Sequence, residues 1–564
     1  MNADNTLLQV QNLCVDVVDR HGKTMEIVSN INFSLAAGQV ISLIGESGSG
    51  KTTVSLATMG YSRPGCKISK GKVLLQGEDL LSLNSSKIQS KRGSDIAYIA
   101  QSAAAAFNRA LTIGAQVTEI AVLRGLMTRK QADQHAVSLY MQLGLPNPET
   151  IGKLYPHQVS GGQLQRLMAA MAMMCSPKLL IMDEPTTALD VTTQIEVLQA
   201  FKRLIREQKV AAIYVSHDLA VVAQMADDIL VLKDGRMVEL QSTQNILDNP
   251  EQEYTRMLMS AVPQLQLGSI SHSQHQPPTA AADTLDTLAT HSTNPDEHEQ
   301  GSSDELLRVS NITAAYGSKG AIVLKDVSLK VNQGETVGII GESGSGKTTL
   351  GRVISGLMAP STGQTELQGR VLSNEYKQRS RDDLRQIQFV FQTAETALNP
   401  HHRIRQILGR PLEFYLGMTG RNAEDRIYEL LDLVELPADF IDRFPRELSG
   451  GQLQRINFAR ALAAEPKLII CDEITSALDT LVSKAIIELL INLQKRLGVA
   501  YVFISHDLST VAKLADSLAV MRQGEIVEFN STGKVLKPPY HEYTKLLLDS
   551  IPRLRTGWLE EAVV

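Results

Sequence analysis

Two nine-residue stretches carry the densest chemistry in the chain. Residues 45–53 read Gly-Glu-Ser-Gly-Ser-Gly-Lys-Thr-Thr, and residues 341–349 are identical. Each fits the phosphate-binding pattern G-x-x-x-x-G-K-[ST] and follows an apolar run, Val40-Ile41-Ser42-Leu43-Ile44 or Val337-Gly338-Ile339-Ile340. Gly45, Gly48 and Gly50, with Gly341, Gly344 and Gly346, let successive backbone N–H groups turn inward as an anion cradle. Lys51 and Lys347 are placed to reach the outer phosphates, and the hydroxyls of Thr52 and Thr348 to hold Mg²⁺. Ser47, Thr53, Ser343 and Thr349 complete the cradles. The helix expected after each loop points its N-terminal dipole at the same phosphates. A merely Gly-rich turn has little weight once the stretch occurs twice in the same context.

Three further constellations repeat downstream. Lys178 to Glu184 reads as an apolar strand ending in two acids, and Lys467 to Glu473 repeats it. Beside a phosphate loop, the first acid, Asp183 or Asp472, suits the Mg²⁺ shell. The second, Glu184 or Glu473, suits a general base that orients an attacking water. A lone Asp-Glu more often caps a helix; the buried strand and the upstream loop argue otherwise here. His217 and His506 stand just past apolar strands in the matching runs Ile213–Leu219 and Val502–Leu508, where a γ-phosphate sensor fits. Ser160-Gly161-Gly162-Gln163 pairs with Ser449-Gly450-Gly451-Gln452, each opening a helical pattern. A hydroxyl and exposed N–H groups there make a second anion site, with a tight N-cap turn as the plainer alternative.

The elements that must position these residues follow from pattern and length. A chain of 564 residues is too long for one core and implies about two to four domains. Hydrophobic residues at 43% and charged residues at 21% are those of a globular protein, and a net charge of −6 gives no basic field for nucleic acid. The four cysteines, Cys14, Cys66, Cys175 and Cys471, have neither disulfide-framework nor metal-ligand spacing, which fits a reducing compartment. The polar N-terminus lacks a signal-peptide core, and no run approaches the ~18 apolar residues of a membrane span. Short apolar strands alternate with helical patterns, as in Leu179–Met182, Thr193–Glu207 and Ala211–Val215, so a mainly parallel sheet covered by helices is expected. The landmarks divide the chain into two homologous halves, residues 6–266 and 305–556. Between them, 267–304 reads as a flexible acidic linker rich in Ser, Thr, His, Pro and Asp. Its histidines, His272, His275, His291 and His298, read as solvated rather than metal-binding.

Together these motifs resemble the ATP-binding subunits of ABC transporters, with two ATPase modules fused; Ser-Gly-Gly-Gln resembles the signature of that family. The resemblance implies an α/β fold: two P-loop NTPase (RecA-like) ABC ATPase domains, each with a helical signature subdomain and an antiparallel β subdomain. It implies ATP and Mg²⁺ as ligands, Gln101 and Gln392 as Q-loop glutamines touching Mg²⁺, and Asp190 and Asp479 as D-loop residues. It implies His217 and His506 as switch histidines. Modules of this family close head to tail, which would pair Lys51 with Ser449 and Lys347 with Ser160.

The tails narrow the resemblance. Asn249-Pro250, Glu253-Tyr254-Thr255 and Val262-Pro263 recur as Pro538-Pro539, Glu542-Tyr543-Thr544 and Ile551-Pro552, resembling the extension of oligopeptide, dipeptide and nickel importers. The usual His-Pro-Tyr-Thr has Glu before Tyr in both halves here. No cysteine follows either ATPase core, so no iron–sulfur cluster is expected. Tyr316 occupies the position of the aromatic that stacks on adenine, whereas the matching residue in the first half is Val17, which implies weaker base contact there. Ile474 stands where the first half has Pro185. The reading is an energy-coupling ATPase of a bacterial importer for peptides or related small solutes, with nickel or a metal chelate as alternatives. It would lie on the cytoplasmic face of the inner membrane, one fused chain per transporter. Two permease subunits and an extracytoplasmic solute-binding protein are the implied partners. A ribosome- or nucleic-acid-directed twin ATPase is disfavoured, because the linker lacks Lys and Arg and carries Asp283, Asp286, Asp296, Glu297 and Glu299. An exporter is disfavoured by the tails and the lack of spans.

Overall fold

The computed structural model describes residues 6–18, 22–186, 189–263, 304–317, 320–476 and 478–562; the expected linker lies outside these except for Asp304. In each half a strand with all five residues buried, Val40–Ile44 or Thr336–Ile340, leads into the phosphate loop. In the first half this strand lies between Ala211–Val215 and Asp228–Lys233, and Leu179–Asp183 and Ile96–Ile99 follow beyond Ala211–Val215, all parallel. Arg236–Ser242 pairs antiparallel with Asp228–Lys233 on the far side from Val40–Ile44. The second half repeats the arrangement with Ile387–Val390, Leu468–Asp472, Ala500–Ile504, Thr336–Ile340, Ser517–Arg522 and Glu525–Ser531. Strands that are apolar along most of their length are what a parallel sheet buried on both faces requires. The topology brings the loop, the acid pair and the histidine to one edge, the carboxyl ends of adjacent strands, where ligands of open α/β sheets bind.

The antiparallel layer is Thr6–Val18 between Thr24–Ala36 and Cys66–Leu75, matched by Glu305–Ala315 between Ile322–Asn332 and Thr362–Leu367. In the first half a bridge from Arg236 to Ser29 joins this layer to the parallel strands as one sheet of ten; in the second half the layers are separate sheets of four and six. The helical layer comprises Ile113–Leu123, Arg129–Gln142 and Gly161–Met173, then Ile404–Leu416, Gly420–Leu433 and Gly450–Leu462. Each half buries two apolar clusters, one under the helices and one between the parallel sheet, the loop helix and the antiparallel layer.

The chain's end crosses back to the first half. Trp558 and Leu559 are 4% and 1% exposed and belong to the apolar cluster under the first half's helices. The buried Gln224 amide donates to the carbonyls of Arg553 (2.8 Å) and Arg555 (2.7 Å), and its oxygen accepts from the Leu559 N–H at 3.0 Å. Gln199 donates to the carbonyls of Leu559 (3.0 Å) and Ala562 (3.1 Å), and Glu560 pairs with Lys202 at 2.8 Å. Among the described residues, no helix is long and apolar enough to cross a membrane.

Candidate active site

The loops are built alike. Gly45 has φ +143° and an added Cβ would lie 2.1 Å from the Leu232 carbonyl; Gly341 has φ +150° and the same clash, 2.2 Å, with Met521. Only glycine tolerates that approach. Lys51 Nζ donates to the carbonyls of Gly45 and Glu46, both at 2.8 Å, and Lys347 Nζ to Gly341 and Glu342 at 2.8 Å. Burial pushes the pKa of both ammonium groups down, against the pull of Glu184 and Asp479 on Lys51 and of Glu473 and Asp190 on Lys347. One aspartate in each set comes from the opposite half.

The acids stand where the strands predict. Thr52 Oγ1 donates to Asp183 Oδ1 at 3.1 Å, and Thr348 Oγ1 to Asp472 Oδ1 at 2.8 Å. Burial raises the pKa of both aspartates, with the threonine hydrogen bonds working against it. A carboxylate in that state gains most from a nearby cation. Hydroxyl and carboxylate oxygens also suit Mg²⁺, which keeps much of its shell as water and phosphate and needs only one or two protein ligands. The residues present therefore fit the ion.

Glu184 and Glu473 hold left-handed backbone conformations, φ +49° and +47°, which cost on the order of 1 kcal/mol for a non-glycine residue. Their N–H groups bond the Val215 and Ile504 carbonyls, each at 2.9 Å, which fixes the strained turn. The turn aims Glu184 Oε1 at His217 Nδ1 (3.2 Å) and its Oε2 at the Gln101 amide (2.9 Å). In the second half, Glu473 lies 3.7 Å from His506 and 3.1 Å from the Gln392 amide. Burial opposes charging of either histidine, but the neighbouring glutamate outweighs it and both pKa values are raised. Pairing with His506 holds the Glu473 carboxyl below its ordinary range.

Both sites open on one shared cavity of about 1230 Å³ between the halves, lined by both lysines, both second acids, both glutamines and both histidines. Asp479 reaches across it, its Oδ2 accepting from the Ser47 N–H at 3.2 Å, and Thr192 Oγ1 lies 3.3 Å from Glu342 Oε1. Asp190 and Asp479 also cap their helices, accepting from Thr193 N and Val482 N at 3.0 Å. Tyr316 lines the cavity, whereas Val17 does not and is paired in register with Met25 and Cys66. The Ser-Gly-Gly-Gln stretches lie outside it. Ser160 Oγ accepts from Gln163 N at 3.3 Å and Ser449 Oγ from Gln452 N at 3.4 Å, so each serine caps its helix and is exposed. A hydroxyl accepting in this way still has its proton to donate. Gly162 and Gly451 are needed for packing, because an added Cβ would lie 2.1 Å from Thr193 and 2.5 Å from Val482.

Motif reading missed two supports. The Tyr98 hydroxyl donates to Asp183 Oδ2 at 2.9 Å, and the second half has Phe389 at that place in the strand. Arg63 lines the cavity on the first half's side. No spacing marks either residue; each acts through tertiary proximity alone.

Comparison with known proteins decides the family. The profile described as ABC transporter matches residues 28–187 and 324–476, and that described as oligopeptide/dipeptide transporter, C-terminal region, matches 238–287 and 527–563. The chain belongs to the ABC transporter family. It is 36% identical to the glutathione import ATP-binding protein GsiA of Escherichia coli K12, over 97% of this chain and 89% of that one. The protein of the same name from Shigella sonnei matches at the same identity and coverage. A dimeric structure of a bacterial ABC transporter cassette is 31% identical, covering 40% of this chain and 99% of that chain with a TM-score of 0.37. Two ABC ATPase domains are thus fused in this chain, an ATP-hydrolysing, energy-coupling subunit of an ABC importer.

Proposed function

We propose that the two halves form two ATP sites head to tail and drive import of short peptides or related small solutes. The carrying observation is the shared cavity, in which each loop lysine feels an aspartate of the opposite half. Lys51 and Lys347 turn from loop carbonyls to the outer phosphates when ATP enters. Thr52 with Asp183, and Thr348 with Asp472, would hold Mg²⁺ together with Gln101 and Gln392, and that group would supply positive charge against the phosphates. Glu184 and Glu473 orient and deprotonate the attacking water. His217 and His506 hold these glutamates and sense the γ-phosphate. Ser449 closes over the phosphates at Lys51, and Ser160 over those at Lys347, donating the protons their capping role leaves free. Binding then favours closure and hydrolysis releases it.

The tail profile and the glutathione-importing relatives support a short peptide as cargo. The chain then sits on the cytoplasmic face of the membrane, docked through the Q-loops and helical layers to two permease subunits that receive cargo from a solute-binding protein. The test is uptake of labelled glutathione and of a dipeptide by cells whose chain carries Lys51→Ala and Lys347→Ala. Loss of uptake together with ATP hydrolysis is expected; hydrolysis that survives the double substitution contradicts the assignment of both sites.

A further inference from the structure

Each tail makes a contact with a phosphate loop that none of the roles above uses. The hydroxyl of Tyr254, in the helix Glu253–Ala261, accepts a hydrogen bond from the Glu46 backbone N–H at 3.2 Å. The hydroxyl of Tyr543, in the helix Glu542–Asp549, accepts one from the Glu342 N–H at 3.0 Å. Both rings are buried and each carries a cation on its face, Lys233 at 4.7 Å from the Tyr254 centroid and Arg522 at 4.9 Å from that of Tyr543. The contact therefore occurs twice, with the same partners by type.

The same helices lie on the opposite half. Glu253–Ala261 packs against Thr480–Leu497, the helix that Asp479 caps, and Glu542–Asp549 packs against Val191–Gln208, the helix that Asp190 caps. In the first loop, the amide after the one held by Tyr254 is the Ser47 N–H, and it is held by Asp479. Two successive amides of one phosphate loop are thus fixed by a tail helix resting on the other half and by an aspartate of that half. Burial raises the pKa of Tyr254, with Glu46 and Asp479 among the nearby charges, and pushes Tyr543 up to about 12, with Glu342 and Asp190 nearby; both hydroxyls stay neutral.

We propose that Tyr254 and Tyr543 are positioning residues that tie each phosphate loop to the opposite half, so that loop occupancy and closure of the halves change together. A phosphate entering the loop draws its amides inward. An amide fastened to the tail helix moves that helix against the other half, and closure acts back on the loop by the reciprocity of linked equilibria. The inference rests on the reading that these loops bind and hydrolyse ATP.

Tyr254→Phe in the full chain keeps the ring and its cation contact and removes only the hydroxyl. Turnover is expected to fall about fivefold, with KM for ATP within about twofold and the thermal midpoint unchanged. Asp479→Asn also lowers turnover, and the pair Tyr254→Phe/Asp479→Asn falls no further than the worse single variant, as members of one link do. Unchanged turnover in Tyr254→Phe overturns the proposal. So do losses that multiply in the double variant, or a lower thermal midpoint that accounts for the loss. A chain that hydrolyses no ATP before any substitution is a separate outcome, and it removes the underlying reading.

Discussion

In the second half the Tyr316 hydroxyl lies 3.0 Å from Thr349 Oγ1 and 3.5 Å from the Arg352 guanidinium, at the mouth of the phosphate loop. In the first half the matching strand position is Val17, turned into strand pairing, and a different guanidinium, that of Arg63, lines the cavity. Burial raises the pKa of each half's buried aspartate, and the guanidinium of the same half works against that rise, Arg352 on Asp472 and Arg63 on Asp183. The acid itself is supported differently: a Tyr98 hydroxyl bonds it in the first half, and the matching strand position in the second is Phe389, which has no hydroxyl to offer. The phosphate end of the site is therefore duplicated almost atom for atom, while the base end and the flank of the acid are not. Phosphate recognition depends on backbone amides and one lysine in fixed geometry, which leaves little room to vary. A base is held by any flat or apolar surface, which can come from several parts of the chain.

The largest expected effect tests the duplicated end. Glu184→Gln and Glu473→Gln together should lower ATP turnover by about 10²-fold or more, the scale of a lost general base, and each alone by about half or more. Near-equal losses in steady-state hydrolysis fit equivalent chemistry; a loss confined to one variant shows that only one site turns over.

The one-sided crossing of the chain's end comes next. Trp558→Ala should make local opening of the helix Val191–Gln208 easier by about 3 kcal/mol. That is read as faster amide hydrogen exchange there, with Thr480–Leu497 unchanged. Equal acceleration in both helices would mean that the tail is not specific to the first half.

The base end should give smaller, site-specific changes. With the first loop disabled by Lys51→Ala, Tyr316→Ala should weaken ATP binding about tenfold, the scale of one lost stacking contact. With the second loop disabled by Lys347→Ala, Arg63→Ala should cost less, about threefold, since an exposed guanidinium stacks more weakly. Equal losses in equilibrium binding would remove the asymmetry.

The smallest effect is a pH dependence. The pKa of His506 is raised from 6.5, so its contribution to stability is complete below that pH and is lost as pH rises through the raised value. The Glu473 value is lowered from 4.5, so its contribution is present above that pH and lost as pH falls through the lowered value. His506→Gln should therefore destabilise most between those pH values and least in alkali, as read by thermal denaturation across pH. A pH-independent difference would show that the pair is not ionised.

The parallel strands, the loops and the strand-end acids were legible in the sequence because each is local: a five-residue apolar run followed at once by its functional residues. The helix expected at Thr193–Glu207 begins two residues earlier, at Val191, because the Asp190 side chain caps it. What the motifs could not show depends on segments far apart in the chain. Nothing local announces that Trp558 enters the first half's core, that Tyr98 supports Asp183, or that the tail tyrosines reach the loops. The Glu-Tyr-Thr repeat was visible as a repeat, yet its hydroxyl acquires a purpose only when the tail folds back on Glu46 and Glu342. The Ser-Gly-Gly-Gln stretches show the converse: their residues were plain, but the structure has the serines capping their own helices, outside the cavity.

The central claim, that each phosphate loop is completed by the signature of the other half, is tested most directly by an ATP-bound structure of the Glu184→Gln/Glu473→Gln chain. Head-to-tail closure puts the Ser449 hydroxyl within hydrogen-bonding distance of the γ-phosphate held by Lys51, and Ser160 likewise at Lys347. ATP bound at both loops with either serine still facing solvent, away from the γ-phosphate, would contradict it.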